Sequence, residues 1–174
     1  MGPLLFLIFI NDIDNGLSCS ILKFADDTKL FSSVDTLEQV KSLQKDLDTV
    51  FSWSQQWQMS FNADKCKCLH LGTSNQNYNY SIGETQVINI SQEKDLGVII
   101  NESLDASTHC AKVVCTANKI LGMLNRTFEN KSKSNILRLY KSLVRPHLEY
   151  CSQVWRPYHQ KDIDNIEKIQ RRAT

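Results

Sequence analysis

The sequence predicts an α+β protein, with short paired strands and helices in its first part and helices alone in its last. Three observations support this. Ile21-Leu22-Lys23-Phe24 and Thr28-Lys29-Leu30-Phe31 are short, mostly apolar runs on either side of Ala25-Asp26-Asp27, the pattern of a tight hairpin. Leu37, Val40, Leu43, Leu47, Val50, Phe51 and Trp57 recur at helical spacing between such strand-like runs. After Asn101 the period becomes helical throughout: Cys110, Val113, Val114, Ala117, Ile120, Leu121, Leu124 and Phe128 form one apolar stripe.

In chain order, residues 3–14 read as a helix with Pro3 in its first turn, where the missing amide hydrogen costs nothing. Asn15-Gly16 is a turn, and residues 19–25 and 28–33 pair around the two aspartates. Asp35 and Glu38 have the spacing of a helix N-cap and its reciprocal partner. Trp53 and Trp57 lie on the apolar stripe, which favours a core role over base stacking. Residues 59–62 and 66–71 read as short strands around Ala63-Asp64-Lys65, and residues 72–79 as a polar loop. Residues 78–82 and 85–90 flank Gly83-Glu84 as a second hairpin, and residues 96–100 form a further strand. Ile136, Leu137, Tyr140, Leu143 and Val144 define a helix capped by Ser134, which Pro146 should end or kink. Residues 151–158 are irregular, and Ile163, Ile166 and Ile169 begin a third helix.

The length of 174 residues suits one domain, or a domain with a small appendage, and 41% hydrophobic residues suffice for a core. The net charge of +1 conceals an asymmetry. Residues 1–87 hold six Lys and no Arg against ten acids, a net of −4, while residues 88–174 hold fourteen basic against nine acidic groups, a net of +5. An acidic part followed by a basic one suits metal binding followed by contact with a phosphate backbone. The six cysteines show no disulfide spacing and read as reduced thiols. Cys66-x-Cys68-x-His70 lacks the usual Cys-x-x-Cys knuckle of a zinc site. The apolar run from Leu4 to Ile10 is too short to span a bilayer and lacks a basic leader; Phe6 stands where a myristoylation signal needs Ser or Thr. The expected location is therefore intracellular, in nucleus or cytoplasm, with no membrane partner and no secretion.

The chemistry concentrates at Asp26-Asp27. Adjacent carboxylates repel unless a cation neutralises them, and two such groups on a rigid hairpin suit Mg²⁺ that also holds substrate phosphates. In-line phosphoryl transfer ordinarily uses a third carboxylate in the same cluster, and the sequence offers none in a matching pattern.

Gly2-Pro3-Leu4-Leu5-Phe6-Leu7-Ile8-Phe9-Ile10-Asn11-Asp12 together with Phe24-Ala25-Asp26-Asp27 resembles the reverse transcriptases of non-LTR (LINE-type) retrotransposons. Ser60-Phe61-Asn62-Ala63-Asp64-Lys65-Cys66 is similar to the family's next palm segment, and Lys94-Asp95-Leu96-Gly97-Val98 to the strand turn that grips the primer end. Residues 143–151 and 166–174 resemble the region after the palm. The resemblance implies a partial polymerase palm over residues 1–102, an antiparallel sheet with packed helices, and a helical thumb-like region over residues 103–174. It implies Asp26 and Asp27 as metal ligands and Lys65 as the group beside the leaving pyrophosphate. Asp95, Leu96 and Gly97 become a primer-grip-like turn, and Lys112, Lys119, Arg126 and Arg138 a nucleic-acid-binding face, with Lys131, Lys133, Lys141 and Arg145 nearby. The implied cofactor is Mg²⁺ or Mn²⁺; the implied partners are an RNA template, a DNA primer and deoxynucleotides, with the oligomeric state undetermined.

The family's fingers and first catalytic aspartate precede the residues that match Gly2. The chain is thus expected to be a fragment of an RNA-directed DNA polymerase, inactive alone. A non-catalytic RNA- or DNA-binding remnant, or a decayed element without a selected role, stays open as the alternative.

Overall fold

The structure, a computed structural model, describes residues 1–72, 74–129 and 132–173. Lys131, expected on the basic face, and Thr174, at the end of the last motif, lie outside the described residues, as does Thr73 of the polar loop. Helices and small sheets alternate first and helices dominate afterwards, consistent with the expected α+β class. The chain divides into two compact units, Met1–Ser91 and Gln92–Thr174.

In the first unit, α1 (Gly2–Phe9) starts on Pro3 and continues as a 3₁₀ turn, Ile10–Asp12. Strands β1 (Ser20–Phe24) and β2 (Asp27–Phe31) pair antiparallel, with Ile21 opposite Leu30. Helix α2 (Leu37–Gln56) follows. Its stripe meets the 3₁₀ turn and the hairpin in a small core of buried Ile10, Ile13 and Val50, with Phe6, Leu17, Ile21, Leu30, Trp53, Met59 and Phe61 packed around it. The cap of α2 is shifted one residue from the sequence expectation. Thr36 accepts from the Gln39 amide and the Gln39 side chain accepts from the Thr36 amide. Both pairs obey the same three-residue spacing, so the sequence pattern alone does not choose between them.

Residues 59–62 are not a strand. Their alternation is real, since Met59 and Phe61 face the core while Ser60 and Asn62 are exposed. A strand also needs a ladder partner, and this segment has none among the described residues. The Ala63–Lys65 turn is 3₁₀, and β3 (Lys67–Leu69) pairs parallel with β6 (Ile88–Ile90). Strands β4 (Ser81–Ile82) and β5 (Thr85–Gln86) make the short second hairpin. Gly83 sits in its turn at φ +58°, where an added Cβ would meet the Phe51 ring at 2.6 Å, so glycine is needed twice over. The Trp expectation divides: Trp53 is half-buried and its indole N–H donates to Asp12 Oδ1 at 3.0 Å, whereas Trp57 is 45% exposed.

In the second unit, β7 (Gln92–Asp95) and β8 (Val98–Asn101) form an antiparallel hairpin. The run read as one strand from Leu96 thus begins with the turn itself: Leu96 and Gly97 adopt φ +43° and +95°. Helix α3 (Ser107–Thr127) buries Cys110, Val113, Ala117, Leu121 and Leu124. Helix α4 (Lys133–Leu139) is capped by Ser132, two residues before the expected Ser134, through the Asn135 amide at 3.4 Å. Pro146 does not end the helical run. The chain widens into a π turn, Tyr140–Val144, in which the Arg145 amide donates to the Tyr140 carbonyl, and α5 (Arg145–Glu149) carries on. The wider turn accommodates a residue that cannot donate the usual i→i−4 bond. The segment expected to be irregular contains α6 (Ser152–Trp155), entered through Cys151 at φ +52°. Helix α7 (Gln160–Ala173) packs Ile169 and Ala173 into a cluster with Val113, Ala117, Leu121, Leu124, Tyr140, Val144 and Leu148. Buried Asp162 of α7 accepts from the Ser107 hydroxyl at 2.5 Å, tying the starts of α3 and α7 together.

Candidate metal and nucleic-acid site

Phe24 pairs with Asp27, which leaves Ala25-Asp26 as a two-residue loop. Ala25 takes φ +53°, the left-handed conformation such loops require for their twist to match the strands. Asp26 therefore stands at the tip and Asp27 opens β2; both are exposed.

The other end of the hairpin is held firmly. Asp46, on α2 and only 4% exposed, accepts from the Ser18 amide at 3.0 Å, the Cys19 amide at 2.8 Å and the Ser18 hydroxyl at 2.7 Å. Burial alone would raise the Asp46 pKa, but these donors outweigh it and hold the carboxyl below the usual carboxylate range. Near the loop end of β1, Lys23 Nζ donates to the Asn11 carbonyl at 3.0 Å and lies 3.2 Å from Asp14 Oδ2, so the strand is also tied to the turn after α1. One face of the hairpin packs through Ile21 and Leu30; the other shows Leu22, Phe24 and Phe31, each more than half exposed. Neither Asp46 nor Lys23 was identified from sequence. Their partners are far along the chain, so no local pattern marks them.

Asp26 and Asp27 offer the oxygen chemistry that a hard divalent cation takes. Among the described residues, no group of three His, Cys, Asp or Glu side chains is placed to hold a metal. Two carboxylates alone fall short of a complete donor set for such an ion. Lys65, exposed, stands on its own 3₁₀ turn in the same unit. The Cys-x-Cys-x-His segment does not converge on one point: Cys68 Sγ and Asn89 Oδ1 both approach His70 Nε2, at 3.6 and 3.2 Å, while Cys66 Sγ donates to the Asn62 carbonyl. All six cysteines are free. Burial, with Asp46 nearby, pushes the Cys19 thiol to about 11; burial, with Asp162 and Asp105, does the same to Cys110. Both stay protonated and unreactive at neutral pH.

In the second unit, Asp95 ends β7 and Leu96-Gly97 forms the turn to β8. Lys112, Lys119 and Arg126 are exposed on α3 at seven-residue intervals, which places them on one face about 10 Å apart; Arg138 is exposed on α4. Sequence reasoning missed a second basic group. Lys168, Arg171 and Arg172 of α7 line a groove of about 330 Å³ with Val114, Asn118 and Ile169, and Arg172 Nη1 donates to Asn118 Oδ1 at 2.6 Å. Three charges within five residues at the end of a helix were a visible signal.

Buried His109 of α3 accepts the Ile99 amide on Nδ1 at 3.1 Å. Among the described residues its Nε2 has no hydrogen-bond partner, and its ring lies edge-on to Trp155 at 4.9 Å. Burial, reinforced by Lys112, holds its pKa below 6.5, so the ring is neutral at neutral pH.

Comparison with known proteins agrees with the motifs. Residues 1–123 match the family model described as reverse transcriptase (RNA-dependent DNA polymerase). The chain is 26% identical over 183 aligned positions to the RNA-directed DNA polymerase from mobile element jockey of Drosophila funebris, covering 98% of this chain and 20% of that protein. The Drosophila melanogaster jockey polymerase is 22% identical over 98% of this chain and 20% of its own length. The probable RNA-directed DNA polymerase from transposon X-element of Drosophila melanogaster is 25% identical over 99% of this chain and 20% of its own length. The chain thus spans about a fifth of the length of the curated relatives it matches. No solved structure matches it. No helix among the described residues is long and apolar enough to cross a membrane. The chain belongs to the reverse transcriptase family, in the non-LTR retrotransposon branch that its motifs indicate.

Proposed function

We propose that this chain is the part of an RNA-directed DNA polymerase that carries the paired-aspartate hairpin of a two-metal nucleotidyl-transfer centre. The observation that supports this best is the hairpin: two adjacent carboxylates at its tip, Asp26 in the two-residue loop and Asp27 at the start of β2, with its base fixed by Asp46 and its strand by Lys23. In this reading residues 1–102 are palm and the helices of residues 103–174 are thumb-like. Asp26 is the principal shared ligand and Asp27 the weaker one. When bound, the divalent ions would favour ionisation of the primer 3′-hydroxyl and offset charge on the departing pyrophosphate. Lys65 supplies a positive charge or a proton on the leaving-group side. Asp95, Leu96 and Gly97 position the primer end, where glycine permits close backbone approach. Lys112, Lys119, Arg126 and Arg138 contact the phosphates of the RNA template and DNA primer, and deoxynucleotides are the substrate.

The 174 residues alone are expected not to extend a primer. Two-metal transfer normally shares its ions with a further carboxylate, and electrostatic stabilisation is the largest single catalytic term, so the loss should be several orders of magnitude. Primer extension with the purified chain and Mg²⁺ tests this. Template-dependent synthesis abolished by Asp26→Asn would disprove inactivity while upholding the role of Asp26. Mn²⁺ titration followed by NMR tests the hairpin directly: selective broadening of Ala25–Thr28 that disappears in the Asp26→Asn/Asp27→Asn double variant is expected, and broadening indifferent to these changes counts against the site.

The basic stripe on α3 favours a second reading, an RNA- or DNA-binding unit without catalysis. With Arg138 of α4, four phosphate contacts predict a log–log salt slope of about −3 to −4. A flat salt dependence removes this reading.

A further inference from the structure

We propose that Tyr150 is the positioning residue of the Leu96–Gly97 turn, holding open the backbone surface that the proposed function sets against the primer end; the inference rests on that reading. Tyr150 stands at the junction of α5 and α6, more than fifty residues from the turn in sequence. Its hydroxyl donates to the Leu96 carbonyl at 2.8 Å. Its ring lies against Gly97, where an added Cβ would come within 3.1 Å of Cε1. The turn needs such support because Leu96 at φ +43° is a γ-branched residue in the left-handed region, a conformation that costs free energy without an external restraint.

Tyr150 is itself fixed. Its carbonyl accepts the Trp155 indole N–H at 2.7 Å, and its amide donates to the Pro146 carbonyl at 3.0 Å. Trp155 is buried with Val98 and Cys110 and meets the edge of the His109 ring, which in turn accepts from Ile99 of β8. The contacts close a ring: turn, Tyr150, Trp155, His109, β8 and back to the turn. Through this ring the α5–α6 junction sets the geometry of the turn. Leu96 itself stays 44% exposed, as a contact residue must be.

The experiment uses the 174-residue chain, its Tyr150→Phe variant, which keeps the ring and loses the hydroxyl, and its Tyr150→Ala variant. In Tyr150→Phe the Leu96 carbonyl ¹³C resonance should move upfield as its hydrogen bond is lost, and amide exchange at Gly97 should rise roughly fivefold, the effect of one net hydrogen bond. Tyr150→Ala should raise it further, while exchange at Leu121 in α3 stays unchanged in both, which excludes general loosening. The same proteins are then mixed with a DNA primer on an RNA template carrying 2-aminopurine at the primer 3′ end. Positioning predicts a fluorescence response in the wild type that weakens from Phe to Ala. Unchanged turn signals in both variants would sink the inference whatever the nucleic-acid result. A loosened turn with an undiminished primer response would overturn the positioning role, and a wild-type chain without any response would overturn the primer reading on which it rests.

Discussion

The two units solve the same problem, holding a short hairpin in place, with different chemistry. In Met1–Ser91 the tie is a carboxylate: Asp46 gathers two backbone amides and a hydroxyl at the root of β1. In Gln92–Thr174 it is a neutral imidazole: His109 takes the Ile99 amide of β8 and leans on Trp155. The apolar support differs too. The second unit buries a nine-residue cluster plus Val98, Cys110 and Trp155. The main core of the first unit buries only Ile10, Ile13 and Val50 fully, and α1 contributes no buried residue. Leu4, Leu5, Leu7 and Ile8 are all more than half exposed, as is the outer face of the paired-aspartate hairpin. A two-stranded sheet with one bare apolar face is marginal by itself. The first unit therefore depends on a few polar ties, and the second on packing.

This contrast can be broken most directly at Asp46. Asp46→Ala takes the carboxylate acceptor away from the Ser18 and Cys19 amides and the Ser18 hydroxyl, which should destabilise the first unit on the order of 2 kcal/mol. Hydrogen exchange should show β1 and β2 amides opening while α3 and α7 amides hold their protection. Equal loss in both units would show that they do not unfold separately.

A smaller effect should come from pH. The pKa of His109 is depressed in the folded state, so the unfolded chain takes the proton first. Its contribution to stability is complete above pH 6.5 and is lost as pH falls below that value, because a protonated Nδ1 no longer accepts the Ile99 amide. The Asp46 carboxyl is also depressed, and its contribution is lost only below about pH 3.8. Acid should therefore loosen the second unit before the first, the reverse of the order expected from core size. Fluorescence of Trp155 against that of Trp53 and Trp57, in single-Trp variants, would resolve the sequence of events. His109→Gln should flatten the transition between pH 7 and 5; an unaltered transition would assign it elsewhere.

The smallest change in stability is expected at the exposed face of α1. Leu5→Glu should move unfolding by no more than about 0.5 kcal/mol, as for other surface positions, yet lower light scattering at high protein concentration. A large loss of stability would mean that Leu5 is covered in solution.

Much of the candidate site was legible in the sequence because its signals are local. Asp26-Asp27 between two apolar runs specifies a hairpin by turn chemistry and alternation, and the seven-residue spacing of Lys112, Lys119 and Arg126 specifies one helix face. Helices α2, α3 and α7 followed from apolar periods long enough to be unambiguous. The misses arose where two local solutions obey the same rule, as with Asp35–Glu38 against Thr36–Gln39, or where a segment needs a partner it lacks, as at residues 59–62. The π turn before Pro146 is a third kind. A proline forbids one hydrogen bond, but only the packing of Tyr140, Val144 and Leu148 into the core decides that the chain keeps winding.

By itself the sequence carried the motifs that resemble the family, most of the element order, and the paired aspartates and α3 basic residues as candidates, since those signals are local. The tertiary structure alone decided what holds them in position: Asp46 beneath the first hairpin, and Tyr150, Trp155 and His109 behind the second. These contacts join residues up to 54 positions apart. Hydrogen bonds at such separation depend on how the helices pack, and no local pattern in the chain encodes them.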